Sequence, residues 1–389
     1  MNVFLRAAAA LLATSLSLHA AAADAAAPAA TDAASAPPSA ARCQAPTADR
    51  AANHACAVGF ARQADLDHKA GRNDAALAGL ARADQFSPDD LRFAMARAAL
   101  ALKLANQLSP AGIEAAARAA PGDVGLAMTH AELAIARKSF ADALADVDRV
   151  IAQRPDAALA WEMRGSVNVA RPDFAAARAD VEQALRLEPR SPVTLRLRGV
   201  LRNNSGDYPG ALADYEAAHA LAPRADDPFL IGSTQFLQRQ FGDAAASLAR
   251  RPPAAPEGTY WRLWRYLALA RLTGIERASG SLGPGTPPGK GSVWPGAVVD
   301  FLHGSIDAAT LLDAAARSQQ AQNLSQVCEA RFYMAEDALL RQRGDSVGLF
   351  RQAVAECPVN FHEYEGAAAE LRAMGIAAAA PAPAASGVR

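Results

Sequence analysis

The sequence predicts an all-α fold, a solenoid of helical hairpins in a right-handed superhelix with a C-terminal helical capping region. Three observations predict it. Prolines stand at 121, 155, 189 and 223, evenly spaced, with Pro88 one position out of the same register. A fixed period of this size, about 34 residues, marks stacked two-helix units. About a quarter of the 389 residues is alanine while aromatics make up only 6%, a composition that favours closely packed helices over sheets. Charge is balanced, 39 Lys+Arg against 40 Asp+Glu for a net of −1, and that argues against a nucleic-acid binder, which would be strongly basic.

Residues 1–23 read as a secretory signal. Arg6 supplies the positive start, an apolar run follows, and Ala21, Ala22 and Ala23 offer a small-residue cleavage site. The run is too short to span a bilayer, and no later stretch reaches about 18 uninterrupted apolar residues. No cysteine follows it in the context of a lipid anchor, so the expected location is periplasmic or secreted. Residues 24–52 and 377–389 are Ala- and Pro-rich with little to bury, so a disordered spacer and tail are expected. Four cysteines, Cys43, Cys56, Cys328 and Cys357, suggest two disulfides in an exported chain. Proximity pairs Cys43 with Cys56 and Cys328 with Cys357. Free buried thiols are the alternative, and a cysteine metal site would need closely spaced pairs such as C-x-x-C, which are absent.

Residues 53–255 carry about six hairpins. With each proline as position 32, one unit holds Trp161, Gly165, Ala177 and Ala184 at positions 4, 8, 20 and 27. The next holds Gly199, Ala211, Tyr215 and Ala218 at positions 8, 20, 24 and 27, with Gly206 and Asp207 at the turn. Ala131, Ala143 and Val147 repeat the pattern upstream, as do Ala64, Gly71, Ala76, Leu80 and Ala83. Small residues belong at 8, 20 and 27, where helix backbones approach closely, and proline ends the second helix. The unit 91–123 is degenerate, with Ser109 and Pro110 opening its second helix. A sixth unit carries Phe229 and Phe236 and ends at Pro252 and Pro253. These residues closely resemble the tetratricopeptide repeat (TPR) family across roughly half the chain.

Residues 256–376 form a C-terminal helical region. Tyr260, Trp261, Trp264 and Tyr266 open a helix that packs on the array. A Gly/Pro/Ser-rich loop and Trp294 follow, then helices near 307–321 and 325–343 and a final hairpin ending at Cys357 and Pro358, before a capping helix from Phe361. The succession W-P-G, C-E-x-x-F-Y, R-G-D and F-x-x-A-V-x-x-C-P-x-x-F-x-E-Y resembles the C-terminal region of NlpI-like periplasmic TPR proteins over about 80 residues. That resemblance implies an adaptor holding envelope proteins such as peptidoglycan hydrolases or a processing protease.

No G-x-S-x-G or G-x-x-x-x-G-K-[ST] motif occurs, and Gly285, Gly289 and Lys290 have the wrong spacing for a phosphate loop. No histidine spacing fits a metal, and His130 and His219 read as ordinary helix residues. Carboxylates read mainly as solvated helix faces four residues from an arginine. No cofactor or metal is expected. The TPR resemblance implies a concave groove lined by first-helix positions 2, 5, 9, 12 and 13. These are Glu132, then Leu159, Glu162 and Ser166, then Arg196, Val200, Asn203 and Asn204, then Thr234, Leu237 and Gln238. The expected function is a non-enzymatic exported scaffold that binds proteins or peptides there. The rival is a periplasmic enzyme with its site around Trp294, His303 and His362.

Overall fold

A computed structural model describes residues 43–250, 257–285, 293–317 and 323–377. The expected signal, the stretch 24–42, Pro252 and Pro253, Gly289 and Lys290, and residues 378–389 lie outside the described residues. Nineteen α-helices and no strand occur among the described residues, none of those helices is long and apolar enough to cross a membrane, and the chain divides into two compact units, residues 1–194 and 195–389.

The first unit holds four hairpins: α1 (Arg50–Lys69) with α2 (Asn73–Phe86), α3 (Leu91–Leu104) with α4 (Pro110–Ala119), α5 (Val124–Ala136) with α6 (Phe140–Gln153), and α7 (Ala158–Ala170) with α8 (Phe174–Leu187). The periodic prolines act as the spacing predicts. The residues before them, Ser87, Ala120, Arg154 and Glu188, leave the helix at φ −137°, −131°, −136° and −127°, because a following proline excludes the helical conformation. Asp90 and Asp123 then cap the next helices by accepting from the N–H of Arg92 and Leu126. Ser109 caps α4 in the same way, accepting from Gly112 N–H with Pro110 in the first turn. Position 8 is tight as expected: a Cβ on Gly165 would lie 3.1 Å from Val181. Ala143, Ala177, Val147 and Ala184 are fully buried.

The second unit continues with α9 (Pro192–Ser205), whose first residues belong to the preceding unit, and α10 (Tyr208–Leu221). There follow α11 (Asp227–Leu237), α12 (Phe241–Ser247), α13 (Glu257–Thr273), α14 (Ile275–Ala278), a 3-10 turn (Ser279–Leu282), α15 (Gly296–Leu302) and α16 (Ala308–Arg317). The chain closes with the hairpin α17 (Asn323–Leu340) and α18 (Ser346–Glu356) and the helix α19 (His362–Ala373). The aromatic helix α13 is core: Trp261, Trp264 and Tyr266 are buried in one cluster with Phe229, Phe236, Phe332 and Phe350. Trp264 stacks on Phe332 at 5.6 Å and meets Phe236 edge-on at 5.3 Å, geometries that add to simple burial.

Both proximity pairings hold. Cys43 joins Cys56 with their Cα atoms 5.9 Å apart, and Cys328 joins Cys357 at 5.1 Å. The first bridge fastens Cys43, itself buried, to α1, while its carbonyl accepts from Arg82 of α2. The second joins the start of α17 to the end of α18, the two ends that an antiparallel hairpin brings together.

Candidate functional site

The polar architecture follows the period of the prolines. Asp146, Asp180 and Asp214 occupy the same position on α6, α8 and α10, and each is buried. Each faces a basic residue at the same position of its first helix: His130 Nδ1 lies 2.5 Å from Asp146, Arg164 donates to Asp180 at 2.7 Å, and Arg198 donates to Asp214 at 2.6 Å. Asn168 and Arg202, themselves one repeat apart, supply further donors to Asp180 and Asp214. Arg164 also reaches Asp148 at 2.7 Å, so one guanidinium ties two successive hairpins. These bonds raise the Arg164 pKa further, the Asp180 hydrogen bond foremost. The aspartates are therefore buried structural acceptors, not the solvated faces that their spacing from arginine suggests, and His130 is half of a structural pair. The signal was legible as an Asp recurring at one position in three successive repeats.

The groove residues read from the repeat have varied surroundings. In the first unit Glu132 and Glu162 are buried and Ser166 is half-buried. Glu162 accepts from Ser191 at 2.7 Å and from Thr194, yet burial outweighs those donors and pushes its carboxyl up. In the second unit Arg196 is buried and donates to Asp227 at 2.6 and 2.8 Å and to the Ala222 carbonyl. His219 Nδ1 lies 2.9 Å from the same Asp227. Asn203 donates to Thr234 at 2.9 Å, both of them buried. Asn204 donates to Glu365 of α19 at 3.2 Å, and Gln238 donates to the Tyr208 carbonyl at 3.4 Å.

Within the second unit α19 packs on α11, α17 and α18. Glu370 accepts from Arg239 at 3.3 Å and pairs with Arg271 of α13 at 3.2 Å, while Arg372 donates to the Tyr208 hydroxyl. A Cβ on Gly366 would meet Phe332 at 2.7 Å and Trp264 at 3.2 Å, so glycine lets α19 settle against the aromatic core. The Asn204 amide that the repeat pattern would offer to a peptide is bonded here to the chain's own last helix.

A further buried polar cluster draws on α13, α17 and α19. Tyr260 donates to Glu329 at 2.8 Å, Trp294 donates to the same carboxyl at 3.0 Å, and Tyr333 donates to Glu363 at 3.0 Å. Burial and the nearby Glu363 charge push Glu329 up to about 7. Of the rival-site residues, Trp294 belongs to this cluster. His303 is exposed, with its ring against the Gly283 carbonyl at 3.0 Å. His362 lies edge-on to Phe229 at 5.0 Å and 3.4 Å from Glu365. Glu329 and Tyr260, which bond to Trp294, were not placed in a site by the sequence because nothing local brings them together; their meeting depends on α17, α13 and the turn before α15. Among the described residues no group of three or more His, Cys, Asp or Glu side chains could hold a metal.

No family model matches the chain, and no curated protein matches its sequence. Among solved structures it is similar to a tetratricopeptide repeat protein from Parabacteroides merdae, at 14% identity and a TM-score of 0.38, over 58% of this chain and 90% of that one. It is similar to the TPR domain of P58(IPK) at 12% identity and 0.25, over 82% and 98%. It is similar to yeast Tom70 at 12% and 0.35, over 77% of this chain and 57% of Tom70. Helical hairpins closed by a proline in each repeat, with Gly and Ala at the close approaches, give this chain the TPR fold.

Proposed function

We propose that this protein is an exported, non-enzymatic adaptor that binds other envelope proteins or peptides. The observation that carries the reading is the hairpin array itself, a succession of two-helix units built to present successive helices rather than to enclose one reaction centre. Export is supported by the signal-like N-terminus and by two cysteine pairs at bridging distance. Envelope hydrolases or a processing protease are the partners suggested by the likeness of the C-terminal motifs to NlpI-like proteins. The groove assignment is tested best in the first unit at half-buried Ser166, because Arg196, Asn203 and Thr234 are buried in the second. Ser166→Arg should abolish capture of a partner while leaving the melting temperature unchanged; unaltered capture would reject the groove.

One observation favours the enzyme reading, the Glu329 carboxyl poised near neutrality beside Tyr260 and Trp294, since general acids and bases work with such tuned groups. A hydrolase substrate panel on wild type and Glu329→Gln decides it. Turnover that disappears in the variant would replace the scaffold reading.

A further inference from the structure

The groove positions that the repeat register assigns to the second unit lie on α9 and in and just after α11, and α19 packs on α11. Its fastening is largely polar. Asn204 donates to Glu365 at 3.2 Å, Arg239 donates to Glu370 at 3.3 Å, and Arg271 pairs with Glu370 at 3.2 Å. Arg372 in turn donates to the Tyr208 hydroxyl. Seven residues of α19 are buried. Three of them are glutamates and three are glycine or alanine, so Leu371 alone is a large aliphatic. The helix brings little apolar area of its own, and its bonds are of a kind that another acidic helix offers equally.

Resting on the adaptor reading, we propose that α19 is a resident ligand: it occupies a face bearing Asn204, Tyr208, Arg239 and Arg271, and an acidic, small-residue helix of a partner protein binds there by displacing it. The face defines that helix. Asn204 on one side and Arg239 with Arg271 on the other select carboxylates five residues apart, the spacing of Glu365 and Glu370. Arg271 is shared with Glu336 of α17 at 2.7 Å, so Arg239 is the cation that depends more on the incoming carboxylate. A Cβ on Gly366 would meet Phe332 at 2.7 Å and Trp264 at 3.2 Å, so the partner needs glycine directly after its first carboxylate. Five residues, 357–361, join α18 to α19, and so short a tether gives the resident helix an effective concentration on the order of millimolar. A free helix at micromolar concentration therefore competes only when the resident is weakened.

A labelled synthetic peptide of residues 358–377, titrated into the intact oxidised protein and read by fluorescence anisotropy, tests the displacement. Glu365→Ala/Arg372→Ala removes two of the bonds of α19 and leaves the face itself unaltered. Amide exchange should show α19 losing protection in this variant while peptides from α5 to α8 stay as in wild type. The variant should bind the peptide about tenfold or more tighter than wild type does. Adding Arg239→Ala should weaken that binding by about tenfold, and a peptide with lysine at both glutamates, Glu365→Lys and Glu370→Lys, should not bind. Undiminished protection of α19 in the variant, equal affinity of wild type and variant, equal affinity for the two peptides, or no saturable binding would each overturn the proposal. A dimer of the variant that excess peptide does not dissociate would assign the face to a second copy and overturn the partner. Should the double variant fail to fold, Arg372→Ala alone carries the same readouts. Capture that depends on Ser166 reports on the adaptor reading separately, so failure of the resident helix leaves that reading standing.

Discussion

Replacing Arg196 by methionine separates two accounts of the same side chain. The repeat spacing puts Arg196 on a peptide-facing surface, where substitution should change stability by no more than about 0.5 kcal/mol. The structure instead buries it on Asp227, which has no exposed surface. Arg196→Met keeps an unbranched apolar stem, removes the guanidinium and strands that carboxylate. Breaking a buried pair by deleting one partner costs about 3–5 kcal/mol. Asp227 keeps the Arg224 N–H at 2.7 Å and His219 at 2.9 Å, which points to the lower end, about 3 kcal/mol, and the stranded Ala222 carbonyl adds about 1 kcal/mol. At Asp227 burial pushes upward, but the Arg196, Arg224 and His219 contacts together hold the carboxyl below its usual range. Its contribution is therefore complete above about pH 4 and lost only as pH falls through the lower folded value. Urea unfolding at pH 7, read by circular dichroism with an unchanged slope, measures the effect in full. Arg196→Met/Asp227→Asn should recover part of the loss, because the stranded charge is gone. A single-variant loss under about 0.5 kcal/mol would refute the reasoning and return Arg196 to the groove.

Three further outcomes follow from the same geometry. Serine at both Cys328 and Cys357 should cost about 3.5 kcal/mol, against about 3 for the shorter Cys43–Cys56 loop, and should direct limited proteolysis to residues 320–345 first; equal cleavage patterns in wild type and variant would contradict this. Gly199→Ala would push a methyl to within 2.6 Å of the buried Tyr215 ring, costing about 1–3 kcal/mol in thermal unfolding. Lys138 turns between α5 and α6 at φ +62°, so Lys138→Gly should raise stability by about 0.5–1 kcal/mol, whereas Gly206→Ala, at φ +83° in the equivalent turn, should lower it by a similar amount.

The hairpin order was legible because its determinants are local and periodic. Proline cannot continue a helix, and Gly165, Gly199, Ala177 and Ala211 each sit where two backbones meet, so a single sequence exposes them by register. The Cys328–Cys357 bridge was legible because antiparallel helix ends fall together, and Cys43–Cys56 because the two residues are close in sequence. The candidate site was much less so. Arg196 and Arg198 are near neighbours on one helix, and the repeat spacing singles out only Arg196, for the groove. Only the packing shows that Arg196 meets Asp227 while Arg198 meets Asp214. Glu329, Tyr260 and Trp294 converge from α17, α13 and the segment before α15, a meeting that no spacing rule contains. The recurring Asp146, Asp180 and Asp214 were visible as a period, but a polar residue in register carries no sign of being buried until its partner helix is placed.

The scaffold reading is tested most directly by capture with the intact, oxidised protein from a periplasmic extract, followed by titration calorimetry of each retained protein against wild type and Ser166→Arg. The account predicts at least one envelope protein that binds wild type saturably and loses measurable affinity for the variant, with no substrate turned over by the protein alone. Binding that Ser166→Arg leaves unchanged, or the absence of any saturable partner together with turnover abolished by Glu329→Gln, would contradict it.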